Sequence, residues 1–153
     1  MGKISYLVIL IMISNKSLSN EIEKNKILNI MVKTHFDEFS ANKRDVIQYY
    51  DYPFTFNLPE RSKVAVNNKE LIKIFKKHSK NLKKNYLRND WKKMDVKLLS
   101  ENIAIANGMF SRIDNSGNNY HTGTAMYWFR KKDNEWKIFS ITPFKPYNYF
   151  DFD

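Results

Sequence analysis

Residues 102–142 read NIAIANGMFSRIDNSGNNYHTGTAMYWFRKKDNEWKIFSIT, and this stretch decides the fold. Asn115-Ser116-Gly117 and Asp133-Asn134 are short turn clusters set between long runs rich in Ile, Phe, Tyr, Trp and Thr. Gly, Asn and Asp tolerate the left-handed backbone of a tight hairpin turn, while β-branched and aromatic side chains suit a pleated, half-buried surface. The spacing predicts strands over 102–114, 120–132 and 135–142, preceded by one over 91–100, joined as an antiparallel meander. Pro143 and Pro146 are expected to stop the last strand, because proline cannot donate to a ladder.

Upstream, the period changes. Ile22, Lys26, Ile27, Ile30, Met31, Thr34, His35, Glu38 and Phe39 recur at helical spacing, with Asn42 a candidate end. Residues 43–50 read as a second, short helix with Val46, Ile47 and Tyr50 inward, closed by Pro53. Residues 69–84 read as a third, capped by Asn68, with Leu71, Ile72, Phe75, Ser79 and Leu82 on one stripe and lysines elsewhere. Short strands are expected over 54–58 and 63–66. Helices first and long strands afterwards give an α+β class: a curved antiparallel sheet packed against three helices from the N-terminal half. A helix laid across one face of a curved sheet leaves room for a pocket between them.

Composition narrows the chemistry. The chain has 153 residues, one domain's worth, and 42% hydrophobic with 15% aromatic content, which excludes intrinsic disorder. It has no Cys, which excludes a disulfide framework, thiolate metal sites and a Cys nucleophile. No Gly-rich phosphate loop, metal-ligand spacing or Ser nucleophile motif is present, so no cofactor and no metal are implied. The net charge is +10, but only five of the 26 basic residues are Arg, the residue that reads nucleic acid with a bidentate fork. Heavy use of Lys, Asn and Ile is the bias of an AT-rich genome, and nucleic acid is not an expected partner.

The N-terminus has its own pattern. Lys3 precedes an apolar run from Ile4 to Ile13, Ser17 and Ser19 stand at the spacing a signal peptidase requires, and no acid precedes Glu21. Residues 1–19 therefore read as a signal peptide, and the protein as periplasmic or secreted. The alternative is an ordinary extension or a start codon assigned too early, which leaves the domain cytoplasmic. A run of about ten residues falls short of the ~20 a bilayer span needs.

The order of elements resembles the nuclear transport factor two-like superfamily, in its SnoaL-like and ketosteroid-isomerase-like branch. The likeness is carried by Phe36 to Asp45, by Tyr49-Tyr50-Asp51-Tyr52-Pro53-Phe54-Thr55-Phe56, and by Asn68-Lys69-Glu70-Leu71. It continues in Phe110-Ser111-Arg112 with Gly117, in Tyr127-Trp128-Phe129-Arg130 and in Trp136-Lys137-Ile138. The resemblance implies a cone-shaped α+β domain over 20–143 with a pocket at the open end, followed by an aromatic, acidic tail over 144–153. It also implies a homodimer through the outer sheet face. The isomerases' aspartate base corresponds by motif to Leu58, before Pro59, and leucine cannot accept a proton. The branch's helix tyrosine falls on His35 and its later acid near Tyr127.

Three functions remain open, one of them an interaction module in which the aromatic tail docks on a partner or the lysine-rich third helix meets an acidic surface or lipid. Another is a pocket that binds a small apolar molecule, lined by Phe39, Phe54, Phe110, Phe129 and Trp91. The third is a SnoaL-like isomerase, cyclase or dehydratase with His35 as general acid/base and Tyr50, Asp51 and Tyr127 assisting. Asp51 can pair with His35 or cap its turn. Arg112 either receives a carboxylate at the cone's mouth or is an ordinary surface residue. His78, among lysines, reads as solvated or half-buried, and His121, beside a loop, as exposed.

Overall fold

The computed structural model describes residues 3–34, 44–80 and 82–152. Helix α1 spans Lys3–Lys33 and a 3-10 turn spans Arg44–Tyr49. Strands β1 (Tyr50–Leu58) and β2 (Arg61–Ala65) follow, then helix α2 (Asn68–Ser79). Strands β3 (Tyr86–Leu98), β4 (Ile103–Asp114), β5 (Asn119–Lys132) and β6 (Glu135–Phe144) complete one six-stranded sheet in the order β2-β1-β6-β5-β4-β3. The sheet is open, with β2 and β3 at its edges.

The meander forms as the turn residues require. Asp133 and Asn134 both have positive φ (50° and 62°), the mirror-image turn that matches strand twist. Asp114 Oδ1 accepts from the N–H groups of Ser116 and Asn118 at 3.0 and 2.9 Å, which closes the β4–β5 loop around Gly117 at φ 81°. Two expectations need correction here. The sheet is mixed rather than antiparallel, because β1 pairs with β6 in parallel. No hairpin links β1 to β6, so local turn chemistry is silent about their direction. Pro143 lies inside β6 rather than after it, where the pairing of β6 with β1 has already ended at Ile141.

Among the described residues the domain has two α-helices rather than the three expected. The stretch before β1 is a single 3-10 turn, and Tyr50 to Pro53, expected to end a helix, already belong to β1. Helix α2 is capped by Asn67, whose Oδ1 accepts from Glu70 N at 3.0 Å, while Glu70 returns a carboxylate oxygen to Val66 N at 3.0 Å. It ends at Ser79, short of the expected residue 84.

The core lies on the concave face. Ile27 and Met31 from α1 and Leu71 and Phe75 from α2 meet Phe54, Phe129 and Ile138 of the sheet, all essentially inaccessible. Burying each contributes on the order of 2 kcal/mol. Glu23 fastens α1 at one end of this core. It accepts from Trp136 Nε1 at 2.6 Å and pairs with Lys26 at 2.7 Å and Lys131 at 2.9 Å. Those partners, Lys26 foremost, lower its carboxyl to a pKa of about 2.

The C-terminal tail folds back on its own sheet. Asn107 Nδ2 donates to Phe150 O at 2.6 Å, Phe152 N donates to Asp95 Oδ2 at 2.5 Å, and Lys93 pairs with Asp151 at 2.6 Å. Phe144, Phe150 and Phe152 pack ring against ring. Asn107 and Asp95 belong to the outer face, so the tail covers its β3–β4 part. Met126, Trp128 and Phe139 remain half-buried on the neighbouring strands.

Candidate functional site

A cavity of about 380 Å³ opens between the concave sheet and the two helices. Alternation along each strand supplies its wall. Phe56 and Leu58 come from β1, Phe110 and Arg112 from β4, Gly123, Ala125 and Tyr127 from β5, and Ile141, Pro143 and Phe144 from β6. Phe75 and His78 come from α2, and Thr34 from the end of α1. The wall is mostly apolar, with few polar groups, as small-molecule sites are.

Glycine at 123 shapes this wall. A Cβ there would stand 2.6 Å from the Phe110 ring, so the ring lies flat across the strand only because none is present. Gly108 makes the same allowance for Trp91. Trp91 then supports the wall from behind, edge-on to Phe110 with centroids 6.0 Å apart and to Tyr127 at 6.3 Å.

Tyr50 and Tyr127, expected to share a site, do reach the same chamber. Both phenols are buried, and desolvation holds both well above the usual tyrosine pKa. Thr34 Oγ1 donates to Ile30 O at 2.7 Å, so the Tyr50 hydroxyl bonded to it is the donor in that pair. Asp51, one residue on, points to the opposite face by strand alternation. It pairs with Arg130 at 3.2 Å and Lys132 at 3.7 Å, outside the chamber. His35 and Phe39 lie outside the described residues. Among the aromatic candidates, Phe110 faces the cavity. Phe54 and Phe129 are core, fully buried behind it, and Phe54 packs edge-on to Tyr50 at 5.3 Å.

The structure adds two imidazoles that motif reasoning set aside. His78 follows Leu71 by seven positions and Phe75 by three, which is the inward stripe of α2, and its ring meets Phe56 at 5.2 Å. That helical phase was the available signal. Burial, Arg112 and Lys63 together lower its pKa to about 4. His121 pairs across strands with Arg112 and is also lowered, by burial first and Arg112 second. Arg112 itself is half-buried, its guanidinium 5.7 Å from the Phe110 ring, and burial lowers its pKa. Among the described lining residues none is acidic.

A second, open groove of about 730 Å³ lies at the Asp51 end, lined by Gln48, Tyr52, Asn68, Lys132, Glu135 and Lys137 among others. Its polar groups satisfy one another. Tyr52 donates to Asn68 Oδ1 at 2.7 Å, and Lys137 reaches Gln48 O at 2.7 Å and Glu135 at 2.5 Å. Among the described residues no group of acids and histidines is arranged to hold a metal ion, and no helix is long and apolar enough to cross a membrane.

Comparison with known proteins agrees with this architecture. No match to a curated protein was found by sequence. A protein of unknown function with a cystatin-like fold from Nostoc punctiforme superposes with a TM-score of 0.64 at 9% identity, over 77% of this chain and 86% of that one. An NTF-2 like protein of unknown function from Shewanella oneidensis gives 0.58 at 17% identity, over 78% and 96%. Aln2 from a Streptomyces species gives 0.56 at 11%, over 83% and 89%. These likenesses establish the fold alone. The family model described as NTF2-like protein (DUF6841) matches residues 25–146, most of the length, and the chain belongs to that family.

Proposed function

We infer that the domain binds a small, largely apolar molecule in the concave chamber. The observation that carries this reading is the cavity of about 380 Å³, walled by Phe56, Leu58, Phe75, Phe110, Tyr127 and Ile141. Its size falls in the ~300–1,000 Å³ range of small-molecule sites. Leu58, at the position of the isomerases' base, gives that wall one more apolar surface. Titration with the neutral dye N-phenyl-1-naphthylamine tests the reading. Saturable, one-site fluorescence is expected, and Ala125→Phe, which fills the chamber from β5, should abolish it. A signal that does not saturate, or that survives Ala125→Phe in a folded protein, contradicts it.

Tyr50 and Tyr127 on a common wall favour a second reading, a SnoaL-like isomerase, cyclase or dehydratase. There His35 would act as general acid/base, and His35→Ala should cost about 10²–10⁴-fold in turnover with folding intact. Unchanged turnover would rule it out.

A further inference from the structure

We propose that the ligand of this chamber carries a carboxylate, received by Arg112 at the mouth while its apolar body lies against Phe110 and Tyr127. The inference rests on the binding reading above and names the class of molecule it takes. Arg130 has Asp51 at 3.2 Å and the Phe139 ring at 4.2 Å, and Arg88 has Asp90 at 2.8 Å. Arg112 is half-buried and stands over the Phe110 ring at 5.7 Å, its Nε is shielded from solvent without a hydrogen-bond partner among the described residues, and no carboxylate among those residues pairs with it. A guanidinium withdrawn from water without a counter-charge is costly unless an anion arrives to share it.

The surroundings specify the anion. Among the described residues, the charges that lower His78 are the cations Arg112 from β4 and Lys63 from β2, and the charge that lowers His121 is Arg112. Both imidazoles are therefore neutral at pH 7 and add no charge to the mouth. Lys145, also at the rim, is exposed, with its ammonium over the Tyr147 ring at 5.6 Å. The inner mouth thus offers one permanent positive charge in a planar fork. That matches a singly charged, planar carboxylate better than a phosphate dianion.

The test is displacement of N-phenyl-1-naphthylamine by ligands that share one tail: decanoate, decan-1-ol, decylammonium and decyl phosphate. Decanoate should bind about ten- to hundredfold tighter than decan-1-ol, the margin of a charge-assisted over a neutral hydrogen bond, and decylammonium weakest. Arg112→Gln should bring decanoate to the level of the alcohol and leave the alcohol unchanged, and Arg112→Lys should retain part of the preference. Equal binding of decanoate and decan-1-ol to the unaltered protein would overturn the proposal and leave the chamber's role intact. Tighter binding of decyl phosphate than of decanoate would overturn the choice of head group. Failure of all four to displace a dye that itself binds saturably would overturn the proposal and leave the chamber's role intact, whereas absence of saturable dye binding would remove the binding reading itself. The comparison on the unaltered protein stands however the variants fold.

Discussion

The two ends of the cone treat charge in opposite ways. At the Glu23 end, every buried or half-buried ionic group has a partner: Glu23 with Lys26, Lys131 and Trp136, and Asp51 with Arg130 and Lys132. At the Arg112 end, cations and neutral imidazoles face an apolar chamber with no acid among its described lining residues. Satisfied charges fix α1 and the strand ends to one another. Arg112, over the Phe110 ring and with no carboxylate partner among the described residues, is held in place by the β-ladder. On the proposed reading, a bound anion offsets its cost to the free protein.

The largest effect should come from cutting the satisfied end. Glu23→Ala leaves the indole N–H of Trp136 without its acceptor and Lys131 without its counter-ion, and should cost about 2–3 kcal/mol in urea unfolding. Next, Gly123→Ala forces the Phe110 ring off its strand and into the chamber. About 1–2 kcal/mol of stability and most of the dye affinity should be lost together. If Gly123→Ala binds dye as well as the parent, the ring does not form the wall.

Acid should separate the two ends. His78 has a folded pKa of about 4, below its unfolded value near 6.5, so its neutral form stabilises the fold at pH 7. That contribution is lost as pH falls from about 6.5 to about 4, and amounts to about 1 kcal/mol after allowing for the water that reaches the ring. Glu23, at about 2, is depressed in the same sense, but its contribution is lost only between about 4.5 and 2. Unfolding free energy measured from pH 7 to 4.5 should decline, and His78→Gln should flatten the decline. The smallest effect has the opposite sign. Arg112→Gln should stabilise the ligand-free protein by about 0.5 kcal/mol, since it removes a half-buried charge that no carboxylate among the described residues offsets. A net loss of stability would mean that Arg112 is structural.

The meander was legible because its signals are local: Asp133-Asn134 and Gly117 set the turns, and period two sets the strands. What escaped was set by distance. The parallel β1–β6 pair joins segments with no shared turn. Between the pairs Tyr50–Ile138 and Thr55–Ser140, β1 advances further than β6, an irregularity no local signal announces, and it sets how the β1 aromatics meet the sheet. Phe54 and Phe129 fall into the core while Phe110 fronts the cavity. Asp51 was separable from Tyr50 by alternation alone, once β1 is extended back to Tyr50. His78 was readable from helical phase and was masked by the lysines around it.

The most direct measurement is an isotope-filtered NMR experiment on labelled protein with unlabelled decanoate, recording which side chains lie against the bound tail. Contacts from the methylene protons to Phe110, Tyr127 and Phe144 are expected, with the carboxyl end nearest Arg112. Contacts confined to Trp128 and Phe139 on the outer face of the sheet would contradict the account.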